Sequence, residues 1–321
     1  MLSSFADDTK IWKGITNNSQ ETQLQNDLDL IYIWAQQNNM QFNSDKFQAI
    51  RFAEVFKPSY YSNDSGQVID HLSKIKDLGI YISQDLKFDY HIEHIANKGR
   101  QLGGWILRTF ITRNPTVMLT LLKQLIHPTI EYCCILWNPS DQQHINLLES
   151  IQRHFLTKIH TPNLTTTSDY WDRLELFKLY SLQRRRERYT IIYTWKVIHN
   201  LYPNPGLHFN HTTHDHKQHP NQGLQINIHQ RNDITVHHNA PTNIPKWLKN
   251  KSILDWSCRL YNSLPLELRL PLDHSTKPSV ATFKTKLDNW LITIPDQPTI
   301  TTRMRPAQTN SIIHQKQYRK H

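Results

Sequence analysis

The stretch FADDTKIW, positions 5–12, sets two adjacent carboxylates, Asp7 and Asp8, between a Phe-Ala pair and a partly apolar run. Carboxylates presented in a tight turn can hold hard divalent cations such as Mg2+, which prefer carboxylate and phosphate oxygens. Two such ions a few Å apart can activate a hydroxyl and take up a triphosphate. The same four letters also fit an exposed turn in which an Asp side chain bonds its own backbone. A second kind of chemistry lies in the basic runs. Lys98, Arg100, Arg108 and Arg113 fall in one segment, and Arg184, Arg185, Arg186 and Arg188 in another, RRRERY at 184–189. Phosphate contacts need only positive charge within reach. The plain alternative is a solvated helix face. A third cluster, HFNHTTHDHKQH, gathers His208, His211, His214, His216 and His219. Neutral imidazoles bind zinc or copper. No Cys accompanies them, however, and the surrounding Asn, Gln, Thr and His look like compositional bias.

These residues need elements to hold them. Residues 1–13 read as a hairpin turning on the two acids. Helical spacing of Leu24, Leu28, Ile31, Trp34 and Ala35 predicts a helix over 21–39. Alternation in 40–52 predicts a strand, with 57–70 a polar loop or hairpin. IKDLGIYIS, 75–83, reads as one further strand with Gly79 as a bend. From Tyr90 the period changes. Helices are predicted over 91–110, weakened by Gly99, Gly103 and Gly104, and over 115–137, opened by Pro115 and kinked or split at Pro128. Another spans 141–159, with Ile145, Leu148, Ile151, Phe155 and Ile159 on one face. The segment 168–201 reads as one helix or two, with Ser168 or Asp169 as N-cap. Residues 203–245 are unpatterned and read as a mobile insertion. A compact piece, 246–292, carries two short helices, and the tail from 295 reads as disordered.

Bulk composition narrows the classes. The 321 residues are 38% hydrophobic and 10% aromatic, enough for a core. The net charge is +10, and no acid follows Asp296 while Arg303, Arg305, Lys316, Arg319 and Lys320 accumulate. A basic surface attracts polyanions, nucleic acid foremost. Three cysteines, two of them adjacent, give neither a disulfide framework nor a CxxC zinc pair, which fits a reducing compartment. No apolar run reaches the roughly 20 residues that span a bilayer, so no membrane is expected. No basic-then-apolar signal segment opens the chain.

Several phrases, in order, resemble the reverse transcriptases of non-LTR retrotransposons of the jockey-like kind. FADDTKIW is similar to their catalytic C motif. LQNDLDLIYIWAQQNNMQFNSDKFQAIRF is similar to their D motif, and IKDLGIYISQDLKFDYHIEHIANKGRQLG to the E-motif primer grip running into the thumb. LIHPTIEYCCILWNP is similar to a thumb phrase. LELFKLYSLQRRRERY and RLYNSLPLELR…ATFKTKL resemble C-terminal phrases, with Tyr261 where a Trp is commoner. The likeness is close over about 1–160 and looser over 168–292.

The resemblance implies an α+β fold. A small partial palm of antiparallel hairpins plus a helix (1–88) is followed by a mostly helical thumb (89–160) and a C-terminal helical region (168–202). The flexible insertion (203–245), a small helical piece (246–292) and a basic disordered tail (293–321) complete it. It implies Asp7 as a ligand of both Mg2+ ions, with Asp8 beside it. Lys46 would protonate the leaving pyrophosphate, where negative charge develops. Leu78 and Gly79 would form the primer grip. Lys98, Arg100, Arg108, Arg184, Arg185 and Arg186 would contact nucleic acid. The implied partners are an RNA template, a DNA primer and deoxynucleotides, inside the cell and, for the parent element, in the nucleus. In that family another catalytic aspartate comes from an upstream strand, with fingers and an endonuclease further upstream. None precedes Asp7, and Glu21, Asp27 and Asp29 do not replace it. The expectation is therefore a C-terminal polymerase fragment, inactive by itself. The competing expectation is a non-enzymatic helical nucleic-acid-binding module.

Overall fold

A computed structural model describes residues 1–43, 46–52, 60–161, 169–205, 207–213, 232–237, 253–269, 279–298 and 310–313. The described chain mixes helices with two-stranded antiparallel sheets, in keeping with the expected α+β class. It divides into two compact units, Met1–His91 and Ile92–His321.

In the first unit, β1 (Leu2–Phe5) and β2 (Asp8–Ile11) form the expected hairpin, with Phe5 opposite Asp8. Helix α1 (Asn18–Gln37) starts earlier than its apolar stripe indicates. The reason is a cap: the Asn17 side chain accepts from the Gln20 amide, while Gln20 Oε1 accepts from the Thr16 amide. The strand expected in 40–52 is not formed by the described residues. Phe42 and Phe47 instead meet Tyr32 edge-on, with centroids 5.8 and 5.6 Å away, and only Ala49 makes a lone parallel bridge, to His71. Alternation was produced by ring packing rather than by a ladder. A two-residue pair follows, β3 (Tyr61–Ser62) with β4 (Val68–Ile69). The segment 75–83 is also corrected. It is a hairpin, β5 (Lys74–Asp77) and β6 (Ile80–Ser83), not one bent strand. Leu78 at φ 45° and Gly79 at φ 89° both occupy the left-handed region. A two-residue turn of that kind matches the twist of the strands it joins. Leu at the first place hides the signal.

The second unit is helical. In α2 (Asp89–Thr109), Ile92, Ile95, Ala96 and Ile106 are buried. The predicted 115–137 helix is split as Pro128 requires: α3 (Pro115–Leu121), a π-helical turn over Leu122–Ile126, and α4 (His127–Glu131). Proline donates no hydrogen bond and crowds the carbonyl four residues back. The widened turn absorbs both demands, with the His127 amide reaching Leu122 O. A left-handed Cys133, φ 50°, then breaks the chain before α5 (Cys134–Trp137). Helix α6 (Gln142–Thr157), capped by Asp141, buries the face expected of it.

The 168–201 segment is two helices, α7 (Tyr170–Leu176) with a capping box at Asp169, and α8 (Leu182–Ile198), capped by Ser181. Inside the expected insertion lies a pair, β7 (His208–Thr213) and β8 (Asn232–His237), where a structureless segment was expected. Among its described residues the 246–292 piece holds three helices rather than two: α9 (Ile253–Asn262), α10 (Leu266–Arg269) and α11 (Val280–Ile292). These close a second core on α8 that includes Trp195, Tyr261, Leu264 and Leu287, with Trp195 and Phe283 stacked at 4.7 Å. The expected disordered tail is partly wrong. Ile294 is buried at the end of α11, and Asn310, Ser311 and Ile312 are each 3% exposed or less.

The glycines of α2 are not mere helix weakeners. A Cβ on Gly99 would lie 2.6 Å from Ile130 Cγ2, whereas one on Gly104 would meet only the mobile end of Arg108, at 3.3 Å. Gly99→Ala is expected to lower stability by about 1–3 kcal/mol, as overpacking does. Gly104→Ala is expected to be neutral or stabilising by under about 1 kcal/mol. Paired thermal melts check this, and equal shifts for the two variants would contradict the close approach.

Candidate functional site

In the first unit, Ala6 and Asp7 form the tip of the β1–β2 hairpin. Ala6 stands at φ 52°, and Asp8 is the first residue of β2. Both acids are exposed. Two strands further along the chain, Leu78 and Gly79 form the tip of the β5–β6 hairpin, also exposed. A salt bridge ties these hairpins: Lys10 Nζ lies 2.5 Å from Asp77 Oδ1. Lys10 is two residues beyond Asp8, and Asp77 immediately precedes Leu78. The acid-bearing hairpin and the expected grip hairpin are therefore fastened to each other, from Lys10 opposite Ser3 to Asp77 beside the second turn, by a contact that no motif announced. The β5–β6 hairpin is held in turn at its base, where Tyr81 packs edge-on against Tyr90 at 5.0 Å and Lys74 Nζ sits 3.6 Å over the Tyr90 ring.

Helix α1 supports the same arrangement. Gln25 both donates to Ser62 O and accepts from the Ser62 amide, and Glu21 pairs with Arg51 at 3.2 Å. Lys46 is exposed, between Phe42 and Phe47 of the ring cluster. A metal needs more donors than one acid pair supplies. Among the described residues, no group of three His, Cys, Asp or Glu side chains is placed to hold an ion. Asp7 and Asp8 are of the right chemistry for Mg2+, but by themselves they form an open, incomplete ligand set. Of the histidine cluster, His208 and His211 lie in β7. His214, His216 and His219 fall outside the described residues.

The basic residues divide sharply by location. Lys98, Arg100 and Arg108 are exposed on α2. Trp105, 49% exposed, follows Lys98 by seven residues and precedes Arg108 by three, so the three share one helix face. Arg100 borders an open groove of about 580 Å³ between α2 and α6, with Glu93, Asn97, His144 and Ser150. Arg113 is used up in the fold, donating to Phe110 O and to Leu107 O at the end of α2.

The RRRER run is the main correction. Arg184 and Arg186 are 0% and 1% exposed. Side chains with no open surface cannot reach a phosphate. Arg184 donates to Ile294 O, Pro295 O and Asn310 O, and Arg186 to Asn138 Oδ1 at 2.9 Å. Arg185 makes a two-pronged pair with Glu131, at 2.5 and 2.7 Å, and Arg188 the same with Asp288. The residues that explain them, Glu131, Glu149, Glu187, Asp288 and Asp296, were not singled out from sequence. The available signal was a lone acid inside an apolar run, Glu131 in PTIEYCCILW and Glu149 in INLLESI.

Beside these pairs runs a buried polar chain. His127 Nε2 lies 2.7 Å from Gln152 Oε1, and Gln152 Nε2 donates to the Tyr170 hydroxyl and to Tyr180 O. Tyr170 donates to Glu149, whose other oxygen accepts from the Gln183 amide. An amide oxygen only accepts, so His127 carries its proton on Nε2. Burial, with Arg185 nearby, holds the imidazole down to about 4.

No family model matches the chain, and no solved structure matches it. Three curated proteins do. An uncharacterized protein of Caenorhabditis elegans is 26% identical over 129 residues, 40% of this chain and 63% of that protein. The RNA-directed DNA polymerase from mobile element jockey of Drosophila melanogaster is 25% identical over 163 residues, 50% of this chain and 18% of the polymerase. The probable RNA-directed DNA polymerase from transposon X-element of the same fly is 24% identical over 158 residues, 47% of this chain and 17% of that protein. The chain carries a region related in sequence to these reverse transcriptases, and it spans under a fifth of their length.

Two outcomes test the site. Arg186→Ala empties a wholly buried site and leaves Asn138 Oδ1 without its donor, and is expected to cost about 2–5 kcal/mol. Lys98→Ala and Arg108→Ala are expected to change stability by under about 0.5 kcal/mol. Urea titrations distinguish the two sets. His127 works in the other direction with pH. Unfolded, it takes up a proton near 6.5, and folded only near 4. Stability is therefore intact above about 6.5 and is lost as pH falls toward 4, by up to about 3 kcal/mol. His127→Gln should flatten that slope, measured by urea midpoints from pH 7.5 to 4.5.

Proposed function

We propose that the chain is part of a non-LTR retrotransposon reverse transcriptase, an RNA-directed DNA polymerase. Residues from the palm carry Asp7 and Asp8, and a helical thumb begins in α2. The observation that carries this reading is the fastening of two hairpins by Lys10 and Asp77, added to the likeness to the jockey and X-element polymerases. In this reading Asp7 and Asp8 contribute oxygens to Mg2+, which would lower the charge on an incoming deoxynucleotide's phosphates and favour loss of a primer hydroxyl proton. Lys46 supplies a cation where the leaving pyrophosphate gathers charge. The left-handed Leu78–Gly79 turn presents backbone, without a bulky side chain at Gly79, to the primer strand. Lys98 and Arg108 take phosphates of the RNA–DNA duplex, with Trp105 between them offering a flat face for stacking. The parent protein acts inside the cell, in the nucleus.

The chain alone is proposed to be inactive, because one acid pair on one turn cannot hold two ions against water and phosphate. A second reading, a non-enzymatic nucleic-acid-binding module, is favoured by the exposed Lys98–Trp105–Arg108 face and needs no metal. The test is primer extension by the purified chain on an RNA template with a DNA primer, deoxynucleotides and Mg2+. No extension is expected, and product would overturn the inactivity. Binding of the same duplex should fall linearly in log–log salt titration, and Lys98→Glu with Arg108→Glu should weaken it by about tenfold or more. A salt-insensitive affinity would remove the phosphate contacts. Mn2+ should broaden amide signals of residues 6–9 in the duplex complex if the polymerase reading holds. Unbroadened signals favour the binding module.

A further inference from the structure

The four residues Asn310–Ile313 bond to α8 from more than 100 residues along the chain, and three of them are almost wholly buried. The Ile312 side chain is 0% exposed and belongs to the core that α8, α9 and α11 enclose. Its amide donates to Glu187 Oε2 at 2.9 Å. Asn310 O accepts from Arg184 Nη2 at 3.2 Å. The Asn310 amide group donates to Ser181 Oγ at 2.7 Å and to Asp296 Oδ1 at 2.5 Å. Asp296 itself is anchored on the first turn of α8, accepting from the Ser181 amide and hydroxyl. The receiving slot is thus the Ser181–Glu187 face of α8 and the Ile294–Asp296 turn.

The slot is costly when empty. Arg184 and Glu187 are each 0% exposed, and buried polar groups that lose their bonds must take water in exchange.

The geometry points to Asn310–Ile313 as a detachable latch, whose seating in the Ser181–Glu187 slot keeps Arg184 and Glu187 out of water and whose release hydrates both. Opening then takes one carbonyl from the Arg184 guanidinium, which keeps those of Ile294 and Pro295, lets water reach it, and uncovers the Ile312 cavity. It is a local event, because the bonds that seat the latch come from α8 and from the turn after α11. The charge balance also makes the latch sensitive to pH. The groups facing Glu187 are Arg184 on its own helix, Asp296 from the turn after α11, and Ser311 with the Ile312 amide from the latch. Burial pushes the Glu187 carboxyl up to about 7, against the pull of Arg184. The seated state therefore binds a proton that the open, hydrated state releases. Seating is strongest in acid and weakens as pH rises from about 4.5 through 7.

Hydrogen exchange on the full chain, read by mass spectrometry and corrected for the intrinsic pH dependence of amide exchange, tests this. Peptides covering 310–313 and 181–188 should open with one common constant, and that constant should rise tenfold or more between pH 5 and pH 8. Ile312→Ala should raise it tenfold or more at fixed pH, leaving α2 and α6 peptides unchanged. Asn310→Ala does the same without touching the core, should the first variant fold poorly. Glu187→Gln keeps an acceptor for the Ile312 amide and should abolish the pH dependence. Unprotected 310–313 beside a protected α8, or opening of 310–313 only together with the whole unit, would overturn the latch. A pH response that survives Glu187→Gln would overturn its control.

Discussion

Helix α8 carries four arginines in five positions, two wholly buried and two partly, and the second unit is organised around giving each of them bonded partners. A guanidinium stripped of solvent holds its place only with bonded partners. Each here has them, from a different direction. Glu131 comes from α4, Asn138 from the loop after α5, Asp288 from α11, and the carbonyls of 294, 295 and 310 from the C-terminal turns. One helix thus fixes the azimuth of nearly every neighbour. Apolar packing alone is non-directional and would let those neighbours slide. The arginines select one arrangement, since any slip leaves a buried charge unmatched.

That requirement explains why phrases far apart in the chain belong to one assembly. SLQRRRERY supplies the cations. IEYCCILWNP supplies Glu131, Asn138 and the buried Trp137, and ATFKTKLDNW supplies Asp288 together with the Phe283 that stacks on Trp195. The π turn before Pro128 is part of the same economy of geometry. It rotates α4 so that His127 and Glu131 face Gln152 and Arg185 from the same short helix. A straight helix through 115–137 would carry a proline clash and present those two side chains at another angle.

Periodicity exposed the helices well, because α2 and α6 bury stripes and α1 and α6 carry explicit caps. It failed where the local pattern had two physical causes. Alternation in 42–52 came from Phe42 and Phe47 turning toward Tyr32, and ring contacts leave the same trace as a strand. Leu78 concealed a turn because a left-handed Leu is rare, so only Gly79 drew notice. The arginine run was read as surface because charge normally is. Its partners lie 48–126 residues away, beyond any window in which spacing speaks. The acid pair at 7–8 and its hairpin were legible at once. The Lys10–Asp77 bond that gives them a neighbour was not, since an ion pair between two hairpins leaves no periodic mark.

The two units differ in what sets their geometry. In the second, desolvated charges and a continuous core do so. In the first, the buried apolar side chains among the described residues are few, Tyr32, Ala35, Tyr61, Ile69 and Ile80, while Phe5, Trp12, Leu30, Ile33 and Trp34 are 47–65% exposed. Its hairpins are two-stranded, and such pairs are marginal without a packed face. Position there depends on polar ties: Lys10 to Asp77, Gln25 to Ser62, Arg51 to Glu21. Partly exposed pairs of this kind contribute at most about 1 kcal/mol each. The Asp7–Asp8 tip is therefore held in outline but not pinned to the sub-ångström tolerance that catalysis by bound ions demands. Burying the apolar side of α1 and of the first hairpin would raise the cost of moving that tip. The same contacts that would cover Leu30, Ile33 and Trp34 would thus stiffen the acid pair, coupling packing on one face of the unit to the position of the acids on its edge.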